Sequence, residues 1–592
     1  MTKQGAGAGE TPFHISLPKT LLSYRTSKGA VAVLQHQLTA ELRTALYQPI
    51  NNQHQQQARE LIQLWQDCQI SAMPGHPAIS QLVDSQAAFS LILLHQQRES
   101  ELHQLIPLAI GQNAGNWDEQ LAKFSKTLVV YSNKVISPLL QFRVRRKWPL
   151  LQISFISGGH PAGLFQQAHS IISDGGWYTL EAILAGRNVQ QSHSSVFTAL
   201  CNSSGDERQL LLQRLVHQLF QLHSNIMLPH SPGATLSELF HWLSFQQQQL
   251  SKIPSTLYVH RMARLWRPVM RRFAPYSTLK FVRHGRQVPA GASLLLWGRR
   301  ECDTALAAGV SVLRVEDGFV RSVGLGAQFV PPVSWVFDDL GIYFDSQTES
   351  ALERVCNQVV FSQAMLQRAT ALQQQIVSAH ITKYNTGTGQ WLRPAGRTVV
   401  LVPGQVETDA SIRYGAAEIR QNLALLKAVR LQRPDAYLVY KPHPDVVAKA
   451  RASGEGEHSA AEYCDEVITD IGMAQLLTQV DEVHVLTSLT GFEALLRAIP
   501  VYCYGRPFYA GWGLTVDQVP QLRRQRSLTL PQLVAATLIM YPTYVSVKYG
   551  CYTTAENSLN ELAAMRSQQQ FSLAGAGRRA LRVLVNLLVK PA

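Results

Sequence analysis

From about residue 276 the chain falls into a repeating pattern of short apolar run, polar turn and helical stretch. The runs Leu294–Trp297, Val310–Val315, Thr398–Val402, Ala436–Tyr440 and Glu482–Leu486 are short and largely apolar, and Gly, Pro, Ser or Asp follows each closely. Runs of this kind alternating with helices predict βαβ units and parallel sheets. Two such sheets, joined by the helical stretch Glu349–Lys383, would leave a cleft between two lobes. Upstream, residues 1–80 read as polar, Gln-rich helices with a low-complexity run at Asn51–Gln57. Residues 85–190 again alternate, with strands expected at Phe89–Leu94, Leu128–Tyr131 and Ile153–Ile156, and 205–255 read as helical.

An internal repeat links the two halves. Leu164–Val189 aligns without a gap to Leu476–Val501, each reading strand, Gly-containing turn, then a helix with Leu/Phe-Glu-Ala. Upstream, Leu91–Glu101 resembles Val399–Asp409. Two matches in the same order predict duplicated α/β lobes. The first copy lacks a counterpart of 276–345 and reads as half a module.

The chain has 592 residues, a hydrophobic fraction of 46% and a net charge of +14. Length and apolar content fit several packed domains rather than a disordered chain. The seven cysteines are widely spaced with no Cys-x-x-Cys, which excludes a zinc ribbon and fits a reducing compartment. No apolar stretch approaches the length of a membrane span, and Met1–Glu10 lacks the apolar core of a secretory signal. The positive charge, clustered at Arg143–Lys147, Arg261–Arg272 and Arg578–Arg582, calls for an anionic partner. Nucleic acid fits poorly, because no aromatic-basic platform or known binding signature accompanies it.

Four turns carry candidate chemistry. Glu316-Asp317-Gly318 follows a strand, where open α/β sheets place ligands; the carboxylates could serve as a general base or simply form an acidic turn. Lys441-Pro442-His443-Pro444 follows another strand. Its prolines stiffen the turn and leave Lys441 and His443 as oriented donors for a phosphate. Thr487, Ser488, Thr490 and Gly491 open a helix and offer hydroxyls and amides to an anion, with Glu493 expected to close a capping box. In Gly404–Ser411, Asp409 is a candidate nucleophile or donor-sugar contact, or else a helix-capping acid, and Gln405 of the same turn is a possible cleft residue. In the first copy the counterparts of Thr487 and Ser488 are Gly175 and Gly176, and Ser132-Asn133-Lys134 replaces the Lys-Pro-His-Pro turn. That half therefore reads as a scaffold.

Taken together, Val315–Gly326, Phe337–Asp345, Val402–Ile412, Tyr440–Asp445 and Thr487–Gly513 resemble the KpsC-type capsule β-Kdo glycosyltransferases, over roughly residues 276–560. The resemblance implies a GT-B-like α/β enzyme: a pair of Rossmann-like lobes, here with an additional degenerate α/β N-terminal domain. It implies CMP-Kdo as donor, a retained β-Kdo linkage, and no metal or separate cofactor. By family position Asp409 would be the nucleophile, with Glu316 and Asp317 as acid/base or acceptor contacts. His443 would share the catalytic work and, with Lys441, Thr487, Ser488, Thr490, Gly491 and Glu493, hold the nucleotide. Asp338, Asp339 and Tyr343 form a second cleft cluster whose alternative is a structural corner. KpsC-type proteins carry two complete modules, whereas here only the C-terminal one reads as complete. The expected boundaries are 1–255 for the half-module, 256–397 for the first lobe and inter-lobe helices, 398–565 for the nucleotide-binding lobe and 566–592 for a basic amphipathic tail. Expected partners are a glycolipid or polysaccharide acceptor, an anionic membrane surface and capsule-assembly proteins. The expected location is cytoplasmic, at the inner face of the inner membrane. The competing reading is a non-catalytic scaffold that binds glycolipid or partner proteins.

Overall fold

The computed structural model describes residues 51–570 apart from internal breaks, the longest being 69–88 and 110–126. The expected helices before residue 51, the tail 571–592, the motif segment Val323–Gly326, and Asn133, Lys134 and Gly176 lie outside the described residues. The chain divides into two compact units, 1–251 and 252–592.

The first unit is built on five parallel strands: β1 (Phe89–Leu94), β2 (Thr127–Ser132), β3 (Gln152–Ser157), β4 (Ala168–Ser173) and β5 (Val189–Gln191), in the order β3-β2-β1-β4-β5. Alternate residues of β1 and β2 enter different cores. Leu91, Leu93, Val129 and Tyr131 pack on one face, and Ile92, Leu128 and Val130 on the other. Burial on both faces is why these strands read as continuous apolar runs rather than alternating ones. A short hairpin, β6 (Ile226–Leu228) and β7 (Ser231–Ala234), lies between the two long helices near the end of the unit.

The second unit has two sheets. The first lobe carries β8 (Thr256–His260), β9 (Thr278–Val282), β10 (Ser293–Trp297), β11 (Ser311–Asp317) and β12 (Ser334–Asp338). The second carries β13 (Val399–Pro403), β14 (Tyr437–Lys441), β15 (Glu466–Val467), β16 (Glu482–Val485), β17 (Val501–Cys503) and β18 (Val516–Asp517), all parallel, in the order β15-β14-β13-β16-β17-β18. Helices at Ala351–Gln358 and Gln363–Ser378 occupy the predicted inter-lobe stretch. The fold is α/β and GT-B-like, two Rossmann-like lobes with the carboxyl ends of their parallel strands lining one cleft.

The five-stranded order of the first unit is that of the second lobe with β1 standing for β13 and β4 for β16. The aligned repeat falls on the same elements. Ser170–Ser173 in β4 and Trp177–Ile183 in the following helix align to β16 and to the helix Leu489–Leu495.

The chain path departs from the expected boundary in one respect. Residues 398–565 do not form one lobe, because β19 (Pro542–Val545) and β20 (Tyr552–Thr553) return to the first sheet, where β19 pairs antiparallel with β12. The first sheet therefore runs β20-β19-β12-β11-β10-β8-β9. Among the described residues no helix is long and apolar enough to cross a membrane.

One buried histidine makes the second lobe sensitive to acid. His484, fully buried in β16, sits between the Tyr504 hydroxyl at 3.2 Å and the Glu482 carboxylate at 3.1 Å. Loss of hydration lowers its pKa to about 4, and Glu482 only partly opposes this. A folded-state pKa below the unfolded value means that the unfolded chain binds more protons as pH falls. Stability is therefore expected to drop by on the order of 3 kcal/mol between pH 6.5 and 4 from this group. Urea unfolding across that range should show a shallower decline for His484→Gln, and an unchanged slope would remove His484 as its source.

Candidate active site

The loops that leave β10, β11, β13, β14 and β16 line a cleft of about 440 Å³. Glu316 and Asp317 are the last residues of β11 rather than a turn after it. The Asp317 carboxylate accepts from Arg321 Nε at 2.6 Å and from Trp335 Nε1 at 3.1 Å. Its backbone amide donates to Glu316 Oε1 at 3.0 Å. Tyr343 reaches the same place, donating its hydroxyl to the Asp317 carbonyl at 3.4 Å. Phe319 packs on Tyr343 and Phe508 with ring centroids 4.8 and 4.5 Å away, forming an aromatic wall.

The opposite wall belongs to the second lobe. Lys441, the last residue of β14, is only 9% exposed, and burial lowers its pKa against the opposing pull of Asp470. A cation held in this state gains most when an anion arrives, because desolvation penalises it until then. His443 accepts the Asp445 amide on Nδ1 at 3.2 Å. That bond assigns the proton of the neutral ring to Nε2, which is then a donor. Ser488 caps the helix Leu489–Leu495 by accepting from the Thr490 amide at 3.2 Å.

Gln405 joins the two strand ends. Its amide group donates to Thr487 Oγ1 at 3.0 Å and accepts from the Thr487 backbone amide at 2.9 Å. Its own backbone is clasped by Asn422, at 2.9 Å through the N–H and 2.8 Å through the carbonyl. Asp409 stands at the start of the helix Ala410–Gly415 with its side chain 38% exposed. It makes no capping bond; its carboxylate instead pairs with Arg451.

The cleft therefore gathers Asp409, Glu316, Asp317, His443, Lys441, Thr487, Ser488, Thr490, Glu493, Tyr343 and Gln405. Three candidates do not line it. Asp338 ends β12, which runs antiparallel to β11 and so sets it level with Arg314, three residues back from Asp317 and away from the cleft end of that strand. There, fully buried, it accepts from the amides of Leu340, Gly341 and Ala351 and from the Tyr541 hydroxyl. Asp339 beside it is exposed. Gly491 is buried in the helix, where any Cβ would overlap the Tyr509 hydroxyl that donates to the Ser488 carbonyl. Glu493 does not close a capping box, because the cap is Ser488 and the N3 position falls on Gly491.

The sequence reading missed Arg321, Arg451 and Trp297. Arg321 stands four residues after Asp317 in a turn already singled out, so its spacing was a usable signal. Arg451 arrives from a separate loop and Trp297 is the last residue of β10, where it reads only as part of an apolar strand; neither carries such a signal.

Parallel strand ends that set carboxylates from one lobe against a cation, a histidine and hydroxyls from the other define a class: a two-lobed α/β protein with a polar cleft at the carboxyl ends of its strands. Residues 293–552 match the family model described as capsule polysaccharide biosynthesis protein. The chain is 35% identical to Thermosulfurimonas dismutans KpsC, beta Kdo 2,7 transferase, covering 99% of that chain and 52% of this one, with a TM-score of 0.45. It is 30% identical to the beta Kdo 2,4 transferase of the same KpsC, covering 97% of that chain and 52% of this one, with a TM-score of 0.47. It is also 39% identical to the capsule polysaccharide modification protein LipA of Neisseria meningitidis serogroup A over 67% of this chain, and spans 57% of that relative's length. The chain belongs to the KpsC-type capsule polysaccharide family.

The Gln405 clasp gives a test of this architecture. Gln405→Leu removes both bonds to Thr487 and should cost about 1–3 kcal/mol of stability in urea unfolding. Gln405→Glu, which can still accept the Thr487 amide, should recover part of that loss. Equal stability of all three proteins would mean that the amide does not hold the strand ends together.

Proposed function

We propose that the second unit is a retaining β-Kdo glycosyltransferase that takes Kdo from CMP-Kdo and passes it to a surface-glycan or capsule-linker glycolipid. The observation that carries this reading is the convergence of Asp409, Glu316 and Asp317 with Lys441, His443, Thr487 and Ser488 in one cleft. A retaining transfer needs two displacements. In the first, a carboxylate oxygen of Asp409 bonds to the anomeric carbon while the bond to the CMP phosphate oxygen breaks. Lys441 and the His443 Nε2–H offset the charge that develops on the departing phosphate. In the second, an acceptor hydroxyl loses its proton to Asp317 or Glu316 and attacks the same carbon, releasing Asp409. Arg451, paired with the Asp409 carboxylate, orients it between turnovers. No step calls for a metal or a further cofactor.

The first unit is best read as a copy of the second lobe alone. It has the same strand order, but at the matching strand ends its sequence lacks the lysine-histidine pair. A cytoplasmic site at the inner face of the inner membrane, among capsule-assembly proteins, would suit a glycolipid acceptor.

With CMP-Kdo alone, intact-protein mass spectrometry of the parent should register one added Kdo, mapped by peptides to Asp409, and Asp409→Ala should abolish both adduct and transfer. An adduct on Asp317 or Glu316 would exchange the assigned roles. His443→Ala should slow turnover about 10²–10³-fold with an unchanged melting temperature. Absence of CMP release from the parent with every acceptor offered would leave a binding scaffold as the better reading.

A further inference from the structure

Between residues 252 and 300 the chain has eleven Lys and Arg residues and no Asp or Glu. This stretch holds most of the protein's net charge of +14, and the fold sends much of it to one edge. Strands β8, β9, β10 and β11 are mutually parallel, so the residues that follow them share the edge on which Glu316 and Asp317 face the cleft. Arg261 and Arg264 follow β8, Arg283 and Arg286 follow β9, and Arg300 follows β10. Among the described residues no carboxylate pairs with Arg264, Arg283, Arg286 or Arg300, and all four are exposed.

The edge is held in place. Asp303 accepts from His284 Nδ1 at 2.5 Å, Arg261 at 3.0 Å and the Gly285 amide at 3.1 Å, with His260 at 3.3 Å, and so ties together the ends of β8, β9 and β10. Arg261 is paired with this anchor, whereas Arg264, Arg283, Arg286 and Arg300 flank it without being neutralised by it.

Apolar side chains stand among them. Leu265 is 57% exposed in the single turn Arg264–Trp266, and Met262 and Trp266 are half-buried beside it. Trp266 lies 6.2 Å, centroid to centroid, from Trp297, which lines the cleft. A soluble polyanion would satisfy the arginines but leave Leu265 in water. An anionic bilayer satisfies both, since its headgroups attract the guanidinium groups and its interface takes up leucine and tryptophan.

We propose that this edge of the first lobe is a membrane-docking surface, in which Arg264, Arg283 and Arg286 engage anionic headgroups and Leu265 inserts at the interface, setting the mouth of the cleft against the leaflet. The surface is distinct from the tail 571–592, and lipid binding is read without any sugar donor, so its failure would not touch the transferase reading.

The test is co-sedimentation of the full chain with vesicles of phosphatidylcholine alone or equimolar with phosphatidylserine. The parent should partition to the anionic vesicles only, and salt should release it. Each charge removed should weaken partition about five-fold, so Arg264→Ala/Arg283→Ala/Arg286→Ala should lose about a hundred-fold. Leu265→Ser should weaken it several-fold without changing its salt dependence. All these side chains are exposed, and unchanged melting temperatures check that the variants are folded. Parental partition of the triple variant, or loss of binding on deletion of 571–592 alone, would overturn the proposal. So would binding to phosphatidylglycerol but not phosphatidylserine vesicles of equal charge, or binding to dextran sulfate but to no vesicle, since either means recognition of a headgroup or glycan.

Discussion

Parallel pairing is the constraint on which the site depends. When β10 and β11 run in register, and β13, β14 and β16 do the same in the other lobe, every loop that leaves a carboxyl end must emerge on the same edge. Residues as distant in sequence as Asp317, Asp409, Lys441 and Ser488 thereby meet in one cleft without any contact between their own elements being needed. The antiparallel strand β12 marks the limit of the rule, because reversing one strand removes Asp338 from the cleft altogether.

Asp338 has a different task. A carboxylate fully buried without partners would be expensive, and here three backbone amides and the Tyr541 hydroxyl share its charge. Tyr541 immediately precedes β19, so the bond ties the returning chain to the end of β12 just where β19 pairs with that strand. The first lobe is complete only when residues more than two hundred positions later come back to it. The two lobes of this unit are thus joined by two crossings of the chain, the inter-lobe helices and this return.

Charge is distributed with the same economy. Within the second lobe many arginines are engaged: Arg397 and Arg430 hold Asp465, Arg433 holds Glu482, and Arg451 holds Asp409. Arg264, Arg283, Arg286 and Arg300 at the edge of the first lobe have no such partners among the described residues. An acid-free run of nearly fifty residues cannot neutralise itself locally, so its charge is directed outward wherever the fold does not bring an acid such as Asp303 to it.

What the sequence determined by itself was local and periodic. The eight apolar runs read as strands matched β1, β2, β3, β10, β11, β13, β14 and β16 to within a residue or two, the Pro-fixed turn located Lys441 and His443, and the repeat foretold that β4 and β16 would occupy matching places, because burial on both faces and turn chemistry are written into neighbouring residues. The family motifs were legible for the same reason. What only the tertiary structure decided was non-local. The direction of β12 sent Asp338 away from the cleft, the cap at Ser488 rather than Thr490 left Glu493 outside a capping box and in the cleft lining, and Arg451 came to Asp409 from a separate loop. The return of Pro542–Thr553 to the first sheet belongs with these. Strand direction, capping register and ion-pair choice depend on which segments meet in space, and no spacing along the chain encodes that.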